Sequence, residues 1–279
     1  SGTITDGMKW KVSKTIYGAY KLMPKTGEAN NRVLAIENNL LYNNNGVKIR
    51  QRDYVQDDNF KDEWFIDKID KCSITLCGIS NLFHDHSSAL QFVQKSLYDN
   101  GYTNSNLITG EVLPSDCKNY IQNSSIFTSR SHGAVSFLPE TSILSATGIV
   151  LNDKKGSEMN ILHSHPCQNM NAGSFYISNT DSFTNAEMVL FIGCNTAYGG
   201  NGANNLPTVV VNQGATVSVG FGNSIDCGQA NEWTKDFYTH MLSGCTVQEA
   251  VSLASQNKSE ASGLKSAIIC GDGNYRLKN

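Results

Sequence analysis

The feature that most constrains this chain is an alternation that begins near residue 71. Short apolar runs rich in β-branched residues recur along it: CSITLCGIS (72–80), SSIFTS (124–129), MVLFI (188–192), ATVSVGFG (215–222) and the segment KSAIICGDGNYRL. Stretches of helical periodicity lie between them. In SSALQFVQKSLYDNGY (87–102), Leu90, Val93, Leu97 and Tyr98 fall on one helical face, Ser87 or Ser88 stands at the start and Gly101 at the end. Pro114-Ser115-Asp116 opens a shorter helix, and another is expected over 205–214. In QANEWTKDFYTHMLSG (229–244), Trp233, Phe237 and Leu242 share a face and Gly244 is the stop. TVQEAVSLASQN (246–257) has Thr246 as cap and Glu249 at the capping-box position. Apolar strands alternating with helices predict an α/β fold, a mostly parallel sheet flanked by helices on both faces as an α/β/α sandwich. In such sheets the working residues collect beyond the carboxyl ends of the strands.

The first seventy residues read differently. MKWKVSKTIYGAYKLM and NGVKIRQRDYV carry β-formers in partial alternation, with the soft stretch NNLLYNNNG between them. Residues 1–70 are therefore expected to form a small β-rich N-terminal extension, and residues 71–279 the main domain. Within the latter, SATGIVLNDKKGSEMNIL reads as a β-hairpin with its tip at Asn152 to Ser157. NTAYGGNGANN (195–205) is too glycine-rich to be rigid alone and is expected to wrap a cleft edge as a mobile loop.

Charge narrows the function classes. A net charge of −3 over 279 residues offers no basic surface for nucleic acid or an anionic membrane. No apolar run approaches the roughly 20 residues that cross a bilayer. The opening SGTITDGMKWKV lacks a signal-peptide apolar region, as a mature chain also would. Asn, Ser, Thr and Gly are abundant and charges few, which leans towards a secreted bacterial protein, with a cytoplasmic one as the alternative. The 8 cysteines include no CxxC pair. Cys72, Cys77 and Cys270 lie in or beside apolar runs, where reduced, buried thiols are expected.

Two strand ends carry reactive groups: Arg130-Ser131-His132-Gly133-Ala134 after SSIFTS, and Gly193-Cys194-Asn195 after MVLFI. If these strands are neighbours, an imidazole and a thiol face one cleft. A thiol attacks a carbonyl as thiolate, which an imidazole can help to generate, and the same imidazole can protonate a leaving amine. The unobstructed amide of Gly133 and the amide of Cys194 are candidate oxyanion donors. Taken singly, each motif has an ordinary structural alternative: a buried thiol at a strand end, and a His-Gly turn. A second chemistry competes. His84-Asp85-His86 and His163-Ser164-His165, with Cys167 nearby, have the i, i+2 spacing that puts two imidazoles on one face of a strand and can hold zinc. No HExxH accompanies them. His240 lies mid-helix and reads as packing.

TSRSHGA, GIVLNDKKGSEMNIL, AEMVLFIGCNTA, GATVSVGFG, WTKDFYTHMLSGCTVQEAV and SAIICGDGNYRL occur in the order seen in the caspase-like cysteine peptidases of clan CD. The chain most resembles their bacterial branch: gingipains, clostripain-like enzymes and the CHAT domains related to separase. The resemblance spans residues 71–279. It implies a caspase–hemoglobinase fold and a cysteine endopeptidase acting on proteins or peptides through an acyl-enzyme. It also implies Cys194 as nucleophile, His132 as acid/base, Gly133 in the oxyanion hole, no third acid and no cofactor for the chemistry; calcium dependence and oligomeric state stay open. Several relatives place a polar or acidic residue two positions before the nucleophile, lining the pocket for the residue that precedes the scissile bond. Here that position is Ile192, with Ser131 across the cleft. A carboxylate could come instead from Asp226 in GNSIDCGQ, favouring Arg or Lys. Lys154-Lys155 at the hairpin tip would then be a site of self-cleavage. A catalytically inactive scaffold of the same fold and a metal-dependent hydrolase remain the alternatives.

Overall fold

A computed structural model describes residues 73–79, 87–137, 144–152 (backbone alone at 144 and 145), 159–168, 170 and 174–277, with four strand segments before residue 54 described by their backbone. The chain divides into two compact units, Ser1–Ile69 and Asp70–Asn279. In the first, β1 (Trp10–Lys14) pairs antiparallel with β2 (Tyr20–Pro24), and β3 (Arg32–Ile36) with β4 (Ile49–Asp53).

The second unit contains β5 (Ile74–Gly78), α1 (Ser88–Asp99), β6 (Ser105–Thr109), α2 (Pro114–Asn123), β7 (Ile126–Arg130), β8 (Gly133–Phe137), β9 (Leu144–Val150), β10 (Ile161–His163), β11 (Phe175–Tyr176), β12 (Met188–Ile192), α3 (Leu206–Asn212), β13 (Val217–Phe221), α4 (Cys227–Leu242), α5 (Val247–Gln256) and β14 (Ala267–Gly271). Six strands form the main sheet in the order β14-β13-β12-β7-β5-β6. Every pairing in it is parallel except β13 with β14. The last strand thus turns back along its neighbour and closes an otherwise parallel sheet.

The apolar run of β12 is buried throughout because it is covered on both faces. Met188, Leu190 and Ile192 join a core with Leu90, Val93 and Leu97 of α1, Trp233 and Phe237 of α4, and Val247 and Ala250 of α5. Val189 and Phe191 point the other way, into a core with Cys117 and Ile121 of α2 and Leu206 and Val210 of α3. Strand alternation thereby fills two cores from one segment, and the layers are the α/β/α sandwich expected. Trp233 stacks on Phe237 (5.2 Å between centroids) and meets Phe221 edge-on at 5.1 Å, while its indole N–H donates to Ser255 Oγ at 2.9 Å. Truncating such a side chain to Ala costs about 3–5 kcal/mol. Tyr98 departs from its expected place on the buried face of α1 and is 62% exposed, one residue round the helix from the buried Leu97.

Two features were not expected from the sequence. β6 extends the main sheet beyond β5. A second, four-stranded sheet in the order β11-β10-β9-β8 begins immediately after His132, and the expected hairpin supplies its β9–β10 pair. Among the described residues no helix is long and apolar enough to cross a membrane.

Candidate active site

β7 and β12 are parallel neighbours, and their last residues, Arg130 and Ile192, are in register. Just beyond, the Ser131 amide donates to the Ile192 carbonyl at 3.2 Å, so the two chains leave the sheet together. Glycine permits the approach on both sides. A Cβ on Gly133 would overlap the Cys194 carbonyl; one on Gly193 would stand 2.7 Å from the Ser131 carbonyl oxygen and 3.2 Å from the Gly133 nitrogen. Neither glycine has a positive φ, so close packing and not backbone freedom requires them.

Cys194 is half-buried. Its sulfur accepts the Ile225 amide at 3.3 Å and faces the Ile225 carbonyl at 3.7 Å, which ties the thiol to the loop after β13. Asn195 follows in the left-handed region, φ 58°, a conformation Asn tolerates better than most side chains. Thr196 then clamps the turn. Its buried hydroxyl is within bonding distance of the Phe191 and Gly193 carbonyls (2.9 and 3.1 Å) and accepts the Phe221 amide at 3.0 Å. Thr147 of β9 donates to the Thr196 carbonyl at 2.8 Å and accepts the Leu206 amide at 2.8 Å. The glycine-rich segment after Cys194 is organised by Asn205. Its side chain donates to the carbonyls of Tyr198 (3.1 Å) and Gly200 (2.7 Å) and accepts the Thr208 amide at 3.1 Å. The segment expected to be too glycine-rich to be rigid alone thus has the Asn205 side chain as internal support.

His132 is exposed between β7 and β8, and its carbonyl accepts the Val150 amide at 2.9 Å. The geometry brings His132, Gly133 and Cys194 to one edge. Two residues offered as pocket lining are buried. Ile192 is 1% exposed and belongs to the α1/α4/α5 core, because it occupies an inward position of a central strand. Ser131 is buried, with its hydroxyl directed at the His132 carbonyl (3.2 Å). Asp226 is exposed and is the N-cap of α4, where its Oδ1 accepts the Gln229 amide at 2.7 Å. The helix starts two residues before the expected 229, which makes a capping residue of a carboxylate read as free in a loop.

Of the rival metal set only His163 and His165 are described; among the described residues no group of three His, Cys, Asp or Glu side chains could hold an ion. His163 is buried against Gly148, its Nδ1 has no partner, and burial pushes its pKa down to about 4. His165 is half-buried and hydrogen-bonded to Asn204. His84 and His86 lie outside the described residues, as do Lys154 and Lys155. The thiols read as buried and inert behave so where described: Cys77 is pushed up to about 12 by burial, and Cys270 is also raised, again chiefly by burial.

Residues 126–265 match the family model described as CHAT domain, just over half of the chain. The chain belongs to the CHAT domain family. The matched interval runs from β7 through Cys194 to nine residues beyond α5, and it contains all of the short motifs that carry the resemblance to caspase-like cysteine peptidases except SAIICGDGNYRL. No curated protein matches this chain domain in sequence. Solved structures similar to this CHAT domain chain include the Arg-specific cysteine proteinase gingipain R (TM-score 0.48, 10% identity, 76% of this chain and 49% of that one). Another is the complex of Porphyromonas gingivalis RgpB pro- and mature domains (TM-score 0.48, 9% identity, 76% and 50%). A third is the Saccharomyces cerevisiae separase–securin complex (TM-score 0.42, 11% identity, 71% and 12%). The chain thus spans about half the length of the gingipain chains.

One residue at this edge was missed by sequence reasoning. Arg130 is buried, and its Nη2 donates to the Cys227 carbonyl at 2.7 Å and to Cys227 Sγ at 3.3 Å. A charged residue closing an otherwise apolar and hydroxyl-bearing strand, directly before Ser131-His132-Gly133, was the signal that could have found it.

Proposed function

We propose that this CHAT domain is a cysteine endopeptidase with Cys194 as nucleophile and His132 as general acid/base. The observation that carries the reading is the contact of Gly133 with the Cys194 backbone at the paired ends of β7 and β12. It supports an imidazole and a thiol sharing one edge, with two backbone amides beside the reacting centre. The thiolate forms a C–S bond to the scissile carbonyl carbon, and the carbonyl π electrons move to oxygen, which the Gly133 and Cys194 amides receive. Collapse of the tetrahedral species breaks the C–N bond, and the His132 imidazolium gives its proton to the departing amine. Water then attacks the acyl-enzyme, losing a proton to His132, and releases the carboxylic acid and the Cys194 sulfur. Asp226, one residue beyond the Ile225 that contacts the sulfur, is exposed at the same edge and supports a preference for Arg or Lys before the scissile bond.

The test is labelling with peptide acyloxymethyl ketones bearing Arg, Lys, Asp, Asn or Leu next to the warhead, read by intact mass in wild type and Cys194→Ala. A single adduct that the variant lacks is expected. No adduct with any peptide would sink the peptidase reading. Asp226→Asn separates charge from capping, since Asn caps as well as Asp. It is expected to slow the Arg and Lys probes relative to Leu at unchanged stability; equal slowing of all probes would remove Asp226 from the specificity.

A further inference from the structure

The chemistry above leaves unused a buried cation at the end of β7, in register with Ile192, two residues before the nucleophile. Arg130 is 2% exposed, and its side chain reaches to the α4 side of the sheet, where Nη2 is held by the Cys227 carbonyl and sulfur. Its Nε is buried without a hydrogen-bond partner. Among the described residues no carboxylate lies at ion-pair distance from it. A guanidinium kept out of water without a paired carboxylate is costly unless nearby groups supply negative charge. Burial pushes its pKa down, and the groups that oppose that shift are Cys227 first, then Cys194 and Asp226. Asp226 is exposed to water and engaged at the start of α4. Cys227 Sγ stands 3.3 Å from Nη2; the second sulfur at this edge, that of Cys194, is bonded to the Ile225 amide two residues before Cys227 and follows Ile192, the register partner of Arg130, by two positions.

We propose that Arg130 is a positioning residue for Cys194: its fixed positive charge, locked in place by Cys227, stabilises the negative charge that the Cys194 sulfur carries as it attacks. This rests on the reading of Cys194 as the nucleophile. Arg130 is already protonated and takes no proton itself. The thiol proton leaves to water or to the His132 imidazole, and the electron pair that remains on sulfur forms the C–S bond. Field and proton acceptance are thereby divided between two nearby residues, the buried Arg130 and the exposed His132. The division explains why a charged residue occupies an inward position of a central strand. It also explains why Cys227, at the first turn of α4, presents both its carbonyl and its sulfur to the guanidinium.

The test follows iodoacetamide alkylation of Cys194 by peptide mass across the acid-to-alkaline range in wild type, Arg130→Lys and Arg130→Met. Cys245, half-buried beyond the far end of α4, serves as reference in the same molecule. Both variants lose the guanidinium geometry, and only the Met variant loses the charge. In Arg130→Met the Cys194 rate at neutral pH is expected to fall about tenfold, with the profile displaced to higher pH, while Arg130→Lys keeps most of the rate and Cys245 is unchanged. Equal losses in Lys and Met would mark a merely structural role and overturn the proposal, as would a Met profile that overlays wild type. Should Arg130→Met not fold, a chain that keeps Arg130 decides. A positive field makes the ratio of iodoacetate to iodoacetamide reactivity higher at Cys194 than at Cys245, in a His132→Ala background that removes the imidazolium; equal or inverted ratios overturn it. Peptide-ketone labelling separates the two readings. An Arg130-dependent alkylation profile without any peptide adduct would defeat the peptidase and leave Arg130 its role; a peptide adduct with no dependence on Arg130 would do the reverse.

Discussion

Ser131-His132-Gly133 and His163-Ser164-His165 both lie at the end of a β-strand, and both place a histidine close to a glycine that a side chain would disturb. Their environments differ completely. His132 emerges where two parallel strands end together and is exposed beside Cys194. His163 closes a strand of the second sheet, sits antiparallel to Gly148 and is buried with its Nδ1 unpartnered. The same residue type is thus offered to solvent in one place and packed as a neutral ring in the other. What separates them is strand topology: a parallel strand end opens onto the sheet's edge, whereas the antiparallel neighbour of β10 folds back over it.

The comparison is broken most severely at the histidines. His132→Ala is expected to lower turnover of a cleaved peptide by about 10²–10⁴-fold. His163→Leu should leave turnover within a small factor. Comparable losses in both variants would remove the distinction. The glycines give the next largest contrast. Gly133→Ala pushes a methyl into the Cys194 carbonyl, and a displacement of that kind costs about 100-fold in peptide-ketone labelling. Gly148→Ala would bring a methyl to 2.7 Å from Ile161 Cγ2 and 3.1 Å from His163 Nδ1. It should therefore cost about 1–3 kcal/mol of stability through overpacking while labelling is preserved.

A further contrast, in stability alone, is set by pH. The folded His163 imidazole takes a proton at about 4, whereas an ordinary one does so at 6.5. Between those values the unfolded chain binds the proton and the folded chain does not. Stability is accordingly complete above pH 6.5, falls as pH drops towards 4 and levels off below it. The total loss is about 3 kcal/mol, from the 1.36 kcal/mol carried by each pH unit of difference. Urea midpoints measured down this range should show the slope in wild type and lose it in His163→Leu; an unchanged slope would mean that other groups drive acid unfolding.

Much of this molecule could be read along the chain. The capping box of α5 forms between Thr246 and Glu249 as expected, with reciprocal bonds. MVLFI is a strand buried on both faces, and Gly193-Cys194 ends it. These features depend on neighbours a few residues apart, so local periodicity and cap chemistry suffice. The position of Asp226 was misjudged for a related reason: Asp226-Cys227-Gly228 resembles a turn, and only the hydrogen bond to Gln229 shows it to be a helix start.

By itself, then, the sequence determined the alternation of strands and helices, the two cores each strand would feed, and the residues at the strand ends capable of chemistry. Tertiary structure alone decided which ends meet. Nothing local dictates that β7 lies beside β12, that β14 runs antiparallel, or that β8 opens a second sheet directly after His132. Strand pairing satisfies backbone hydrogen bonds between segments far apart in the chain, and many orders are compatible with one hydrophobic pattern. The buried charge of Arg130 belongs to the same class. Its meaning depends on Cys227 and Cys194, brought to it by two other strand-to-helix connections, and no reading of Ile126–Arg130 alone contains them.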